Sequence, residues 1–319
     1  MADVHGVRRW VPPRPALAVA AFVVGIVMVI AATAWMVGGE GLAMSSALGA
    51  VSVIALAARR PSWPHLLWFG VVLAGCGAGA VATEDPRAVG ALVALSVLAV
   101  TPIAVRYGPV VAIVPVVIAD LAVGADRIDP GAALAGVLVG ALVCAAAMRA
   151  LPMPAAPAAG RAPSGMGAYL AILAFLAGIT TGIIVAYDLP HGVWIVIALA
   201  MVWVPDAGET MPRARARIAG TVVGAAAGAV AATMLPVPAA LAGAGVALLL
   251  SVALMFAGRR REFVASTAFA VVVVVSVGGG EGAWDAGFSR VWLTALGAAV
   301  AVGAGVVVAR LEGSRQRRA

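Results

Sequence analysis

Two residues at the start of an apolar stretch have the type and spacing to bind an anion: Arg213 and Arg217. In a helix, the four-residue spacing of the two arginines places both on one face. A guanidinium group is weakly hydrated and can direct two donors toward a carboxylate. We therefore predict that Arg217, with Arg213, recognises an organic anion. The alternative, in which these arginines only fix membrane topology and contact lipid phosphates, stays open for Arg217 and is favoured for Arg213.

Asp120 is the one acidic residue inside a predicted apolar span. A carboxylate at that depth costs on the order of 2.5 to 3.5 kcal/mol if it is central, and such a cost usually marks a function. Pro115 lies five residues earlier and removes a backbone donor, which predicts a bend or break nearby. Asp120 is a candidate for carrying a proton or contacting substrate. Alternatively, its position close to Gly124 lets it reach the membrane interface.

The sequence lacks the motifs of the common enzyme classes. Lysine is absent, which excludes a Walker A loop, a Schiff base and a Ser/Lys dyad, and no HExxH motif or nucleophile elbow is present. Cys76 and Cys144 each fall inside an apolar stretch, where a thiol behaves as a small hydrophobic group. We therefore expect no catalytic residues, no metal and no cofactor.

The composition indicates a membrane protein. Hydrophobic residues make up 63 % of the chain and charged residues 11 %, with a mean hydropathy of +1.08, whereas close to half of the residues are apolar in soluble domains. The net charge of +7 comes from arginines dispersed over many short loops, which argues against nucleic acid as a partner. We expect an all-α integral membrane protein with no soluble domain.

About twelve apolar stretches alternate with short polar loops. The spans we predict are 16–37, 41–58, 65–83, 88–105, 109–124, 131–148, 167–187, 192–204, 215–235, 238–257, 263–277 and 286–309. If the N terminus is cytoplasmic, all 21 arginines except Arg87, Arg127 and Arg290 fall on the cytoplasmic side. The sequence thus predicts the cytoplasmic membrane and places both termini in the cytoplasm.

The spans divide into two modules of six, which we expect to be parallel repeats because an even number of spans gives both modules the same direction. The predicted divisions are an N-terminal segment (1–15), a first module (16–148), a Pro/Ala-rich linker (149–166), a second module (167–310) and a basic tail (311–319). Glycines recur every fourth residue, as at Gly220, Gly224 and Gly228. Such a stripe favours close approach of helix backbones.

The second module resembles the fusaric acid resistance and aromatic acid exporter superfamily, clearest over about 167–309. The resemblance rests on Trp194 at the start of one span, then Arg217-Ile-Ala-Gly-Thr221-Val-Val-Gly224 at the start of the next, and Arg290-Val-Trp-Leu-Thr294-Ala-Leu-Gly297 at the start of the last. It implies a transporter of organic anions in which two six-span units surround one path. Thr221, Arg290 and Trp194 therefore join the candidate site. From its position, Arg290 could pair with Asp120, Asp188 or Asp285, and a plain surface pair is the favoured expectation.

The first module keeps the span pattern but lacks this motif: Arg59-Arg60-Pro61 replaces the arginine-rich turn, and no Gly-Thr pair follows it. An equivalent site in that module is therefore in question. The leading hypothesis is an exporter of small organic acid anions, aromatic carboxylates among them, with protons as a possible coupling ion at Asp120. A passive anion channel and a membrane scaffold or assembly factor are the alternatives. The partners expected are the lipid bilayer and the anion, and the oligomeric state is open.

Overall fold

The structure is a computed structural model that describes residues 12–150, 165–278 and 282–316. These residues are almost entirely helical, and the described part of the chain contains no strand. Most of the predicted linker, most of the N-terminal segment and the last three residues of the predicted tail lie outside the described residues. The division of the chain into two modules stays a prediction.

The helices are numbered in chain order. The first six are α1 (Arg14–Ala57), α2 (Trp63–Val81), α3 (Pro86–Ala99), α4 (Thr101–Tyr107), α5 (Val114–Val123) and α6 (Pro130–Ala150). They are followed by α7 (Met166–Ala186), α8 (Val193–Val202), α9 (Ala207–Met234), α10 (Val237–Phe256), α11 (Arg260–Gly278) and α12 (Ala283–Gln316). Short 3₁₀ helices at Pro109–Ile113 and Ala125–Arg127 flank α5.

Seven of these helices are long and apolar enough to cross a bilayer, or eight if the bent pair α3 and α4 forms one span. The chain is therefore a multi-pass membrane protein. The helices α5 and α8 are apolar but short. The number of spans that we predict from the sequence, twelve, and the repeat of six stay predictions.

Local backbone chemistry explains where the predicted spans and the observed helices differ. The first two predicted spans are one helical stretch, α1, interrupted at Gly39, whose φ of 74° and ψ of −161° suit only glycine. The predicted fourth span bends by 43° between α3 and α4, just before Pro102. The predicted eighth span is shorter as a helix because Trp203 is already extended and Val204 precedes Pro205.

The chain forms two compact units, which we call the continuous unit (residues 25–207) and the split unit (residues 1–24 and 208–319). In the continuous unit, α5 is buried and contacts α2, α3, α7 and α8. Helices α3 and α7 approach closely where Gly90 faces Gly178, since a Cβ on either glycine would come within 2.7 Å of the other's carbonyl oxygen. The helix following the 3₁₀ turn begins at Val114, next to Pro115, where the sequence predicts a break.

In the split unit, the predicted glycine stripe lies along the contact between α9 and α11. A Cβ on Gly220 would come 2.8 Å from the carbonyl oxygen of Arg261, and one on Gly228 would come equally close to that of Phe269. At Gly224, it would overlap the carbonyl group of Ala265. The prediction that these glycines allow backbones to approach is confirmed, and this close contact fixes the position of α9.

Candidate functional site

Helix α9 carries a line of polar residues at four-residue spacing: Glu209, Arg213, Arg217 and Thr221. Exposure falls along this line. The side chains of Glu209 and Arg213 are 50 % and 27 % exposed, whereas Arg217 and Thr221 are 6 % and 1 % exposed. Arg215 points elsewhere and is exposed. The line therefore leads from solvent at the start of α9 to buried groups two to three turns further along.

The helix begins at Ala207, eight residues before the predicted start of the ninth span. Hydropathy marks only the apolar stretch, but Ala, Met, Glu and Arg are good helix formers and extend the helix backward through polar sequence. As a consequence, Arg213 and Arg217 share a face of one continuous helix, as their spacing predicts.

A second pair of the same kind lies on α12. Arg290 and Thr294 are four residues apart and are 4 % and 2 % exposed. The expected surface position of Arg290 is wrong, because Arg290 lies about two turns inside a helix that begins at Ala283 and its side chain is buried; its pairing with an acid stays a prediction. Gly287, one turn earlier, faces Ala225 of α9, where a Cβ would make only ordinary contact with the carbonyl oxygen at 3.6 Å.

The two arginines lie close enough for the positive charge of Arg217 to act on Arg290. Further along α9, Ala225 and Ala229 pack with Val272 of α11 and with Val291 of α12, the residue after Arg290. Both arginine side chains are buried, and charges held near each other away from solvent are screened far less than in water.

Arg217 has little within the protein to offset its charge. Its Nε atom is buried and has no hydrogen-bond acceptor among the described residues, and no described carboxylate lies within ion-pair distance of it. Leaving a buried charge uncompensated costs several kcal/mol. An anion placed beside Arg217 would supply both the missing acceptor and the opposite charge.

At the exposed start of α9, by contrast, two arginines share one carboxylate. The carboxylate of Glu209 lies 3.8 Å from Nε of Arg213 and 3.3 Å from Nη1 of Arg260, at the start of α11. One acid thus bridges two helices of the split unit and two cations. The charge of Arg217, one turn beyond Arg213, lies outside this cluster.

Three residues at this site were not selected from the sequence. Thr294 stands four residues after Arg290, as Thr221 does after Arg217, so the repeated spacing was a usable signal. Thr210 is 3 % exposed and its hydroxyl has no hydrogen-bond partner in the described part of the chain. Glu209 shows its role only through its contacts with Arg213 and Arg260, which depend on the folded arrangement.

The other two predicted site residues belong to the continuous unit. Asp120 lies on α5, half-buried, one turn before the end of the helix, and its backbone carbonyl accepts a hydrogen bond from the amide of Gly124. Trp194 is half-buried at the start of α8. Roles for Asp120 and Trp194 in an anion path stay predictions.

Residues 170–304 match the family described as fusaric acid resistance protein-like. This match confirms the resemblance of the second half of the chain, and it includes Trp194, Arg217, Thr221 and Arg290. No curated protein and no solved structure matches the chain.

Proposed function

We propose that this chain, whose second half is fusaric acid resistance protein-like, is a membrane transporter of small organic anions and that its anion site includes Arg217, Arg290, Thr221 and Thr294. The observation that carries the proposal is the buried guanidinium group of Arg217, whose Nε atom has no hydrogen-bond acceptor among the described residues, with the buried Arg290 nearby. A bound anion would supply this acceptor and the opposite charge.

The chemistry of the four side chains suits a carboxylate. Each guanidinium group presents several donors in a planar fork, and the two hydroxyls add neutral donors one turn further along each helix. All four side chains are buried, and burial strengthens the attraction between a guanidinium and an anion. A ligand with one carboxylate and an apolar body fits such surroundings, and aromatic carboxylates are of this class.

Several finer features belong to the same proposal. The family description, with its reference to resistance against an aromatic acid, supports export as the direction of transport. The bias of arginines toward one side of the predicted topology supports a cytoplasmic-membrane location with both termini in the cytoplasm. The half-buried carboxylate of Asp120 is the candidate for coupling transport to protons.

The test compares two arginines two residues apart on α9. Purified protein is reconstituted into liposomes loaded with an aromatic carboxylate or a dicarboxylate, and efflux is measured for wild type, Arg217→Gln and Arg215→Gln. Because hydrogen bonds to charged groups contribute about 1.5 to 3 kcal/mol, Arg217→Gln should slow efflux by about tenfold or more. Arg215 is exposed, so Arg215→Gln should stay within about twofold of wild type.

Equal efflux from all three proteins would contradict an anion site at Arg217. If no acid of the panel leaves wild-type liposomes faster than protein-free ones, the transport proposal itself fails and the scaffold alternative gains. If wild-type protein does release an acid, electrical recording in a planar bilayer separates a carrier from a channel, because only an anion channel conducts current without a counter-ion.

A further inference from the structure

A second concentration of positive charge lies in the continuous unit, where α2 begins and where α4 and α6 end. Hydrogen bonds and ring contacts join these three helix ends. The Nη1 atom of Arg149 donates a hydrogen bond of 2.6 Å to the carbonyl oxygen of Pro61, and its guanidinium group lies 5.6 Å from the ring centre of Trp63. Arg149, the penultimate residue of α6, is thus hydrogen-bonded to the loop before α2.

The second arginine of the cluster, Arg106, also lies near an aromatic ring. Arg106 lies 5.9 Å from the ring centre of Tyr107, and the Tyr107 ring meets the His65 ring edge-on at 5.4 Å. The hydroxyls of Tyr107 and Ser62 both lie within hydrogen-bond distance of Nδ1 of His65. The two arginines therefore sit on aromatic rings at the ends of α4 and α6, with the start of α2 between them.

The charge of this cluster is not balanced by acids. No described carboxylate lies within ion-pair distance of Arg106 or Arg149, and both side chains are exposed. At the opposite ends of these helices acids predominate: Glu84, Asp85, Asp126 and Asp129 accompany Arg87 and Arg127. This differs from the start of α9, where Glu209 lies within ion-pair distance of two arginines.

An exposed apolar stripe runs along α2 away from the cluster. Trp63, Leu67 and Val71 recur every fourth residue and are 42 %, 45 % and 53 % exposed, and Trp68 beside them is 50 % exposed. Residues at this spacing lie one above the other on a helix surface. The exposed face thus has cations and aromatic rings at its end and an apolar surface one to two turns long below them.

From these observations we propose that Arg106 and Arg149, together with Trp63, form a binding site for the phosphate of an anionic phospholipid, whose acyl chain lies along the apolar stripe of α2. Arginine forks fit phosphate oxygens, and aromatic rings of this kind sit at the depth of lipid headgroups. Basic pockets between membrane helices bind anionic headgroups in the same manner. A soluble phosphate would share the headgroup contacts but would leave the stripe uncovered.

The experiment counts lipids on the intact protein. Protein purified in a neutral detergent is titrated with phosphatidylglycerol or phosphatidylcholine, and bound lipid is counted by native mass spectrometry. A basic residue near the surface contributes about a fivefold gain in affinity, so the double variant Arg106→Gln/Arg149→Gln should bind phosphatidylglycerol about 30-fold more weakly than wild type. Phosphatidylcholine should bind weakly to both proteins.

Two control variants separate a site from bulk charge and from misfolding. Arg87→Gln/Arg127→Gln removes the same charge at the opposite helix ends and should bind phosphatidylglycerol within about twofold of wild type. Arg106→Lys/Arg149→Lys keeps the charges but loses the fork, so its affinity should fall between those of wild type and the glutamine variant. If both charge-removing variants lose affinity equally, or if phosphatidylcholine binds as tightly as phosphatidylglycerol, the proposal is overturned.

Glycerol 3-phosphate tests the source of the phosphate. Added in millimolar excess, it should leave phosphatidylglycerol bound, because it gains nothing from the apolar stripe. If glycerol 3-phosphate displaces the lipid when both are present at similar concentrations, the cluster binds a soluble phosphate and the lipid proposal is overturned. This outcome is independent of efflux through the Arg217 site.

Discussion

Arg217 on α9 and Arg290 on α12 are both less than one-tenth exposed, and the charge of the first acts on the second. Each is followed four residues later by a buried threonine, so that two helices present the same Arg-x-x-x-Thr pattern. Gly287 of α12 faces Ala225, about two turns beyond Arg217 on α9. An anion beside Arg217 would offset this concentration of positive charge, which is the basis of the proposed site.

If the charge of Arg217 serves an anion and not the fold, replacing it by an apolar residue of similar length should leave the ligand-free protein at least as stable. We expect Arg217→Met to hold or raise the melting temperature, since apolar replacements of buried charges are often neutral or stabilising. The same variant should lose the rise in melting temperature that organic acids produce in wild type. Thermal unfolding in detergent with and without an aromatic carboxylate measures both effects.

The control for this variant is Arg215→Met, which removes an exposed charge from the same helix and should keep the response to the ligand. A marked fall in the melting temperature of ligand-free Arg217→Met would show that the arginine stabilises the fold, and the interpretation of its burial as a binding feature would then be wrong.

Glu209 holds Arg213 and Arg260 at the solvent end of the line that leads to Arg217. Its negative charge opposes the approach of an anion and occupies donors that a carboxylate ligand could use in transit. We expect Glu209→Gln to increase the apparent affinity for organic anions by about two- to tenfold at low salt, with a smaller gain at high salt because the group is exposed. Efflux at several anion concentrations and two ionic strengths measures this change.

Glu262 provides the comparison, because it lies in the first turn of α11 near Arg260 but forms no ion pair within the described chain. Glu262→Gln changes the net charge equally and should alter the apparent affinity by less than twofold. Equal gains from both variants would assign the effect to net charge and not to the bridge made by Glu209.

Much of the fold and part of the site could be predicted from local sequence. The four-residue spacing of Arg213, Arg217 and Thr221 placed them on one face, and the spacing of Gly220 and Gly224 predicted close helix contact. Both features depend on the period of a single helix. A short-range pattern of this kind is fully contained in the sequence.

The features that sequence patterns missed depend on contacts between distant helices. The burial of Arg290 follows from how α12 packs on α9, and its position near a predicted loop suggested a surface pair instead. Glu209 acquires its role from Arg260, which belongs to another helix. The early start of α9 was missed for a different reason. Hydropathy detects the apolar part of a helix and does not detect its polar extension.

The close contact of α9 with α11 should make Gly224 sensitive to the smallest side chain. A Cβ at this position overlaps the carbonyl group of Ala265, so Gly224→Ala forces one backbone to move. We expect a loss of about 1 to 3 kcal/mol in the free energy of unfolding, as for other overpacked positions. Unfolding in mixed micelles with increasing denaturing detergent measures the loss.

Gly245 on α10 is the matched control, because a Cβ there has no neighbour within 4 Å among the described atoms. Gly245→Ala should leave the free energy of unfolding unchanged or slightly raised, since alanine restricts the unfolded chain. If the two substitutions have the same effect, the contact between α9 and α11 does not position the arginine site as we argue.

Asp120 offers the last prediction, which concerns energy coupling. The residue lies half-buried on the short, buried helix α5, whereas Asp126, in the 3₁₀ turn that follows, is exposed. If Asp120 carries the coupling proton, Asp120→Asn should remove the acceleration of efflux by an imposed pH gradient and preserve anion binding, because asparagine cannot exchange a proton with the solvent. Asp126→Asn should retain the full acceleration. Efflux from liposomes with and without the gradient gives the ratio for each protein, and an unchanged ratio in Asp120→Asn would exclude this carboxylate as the coupling group.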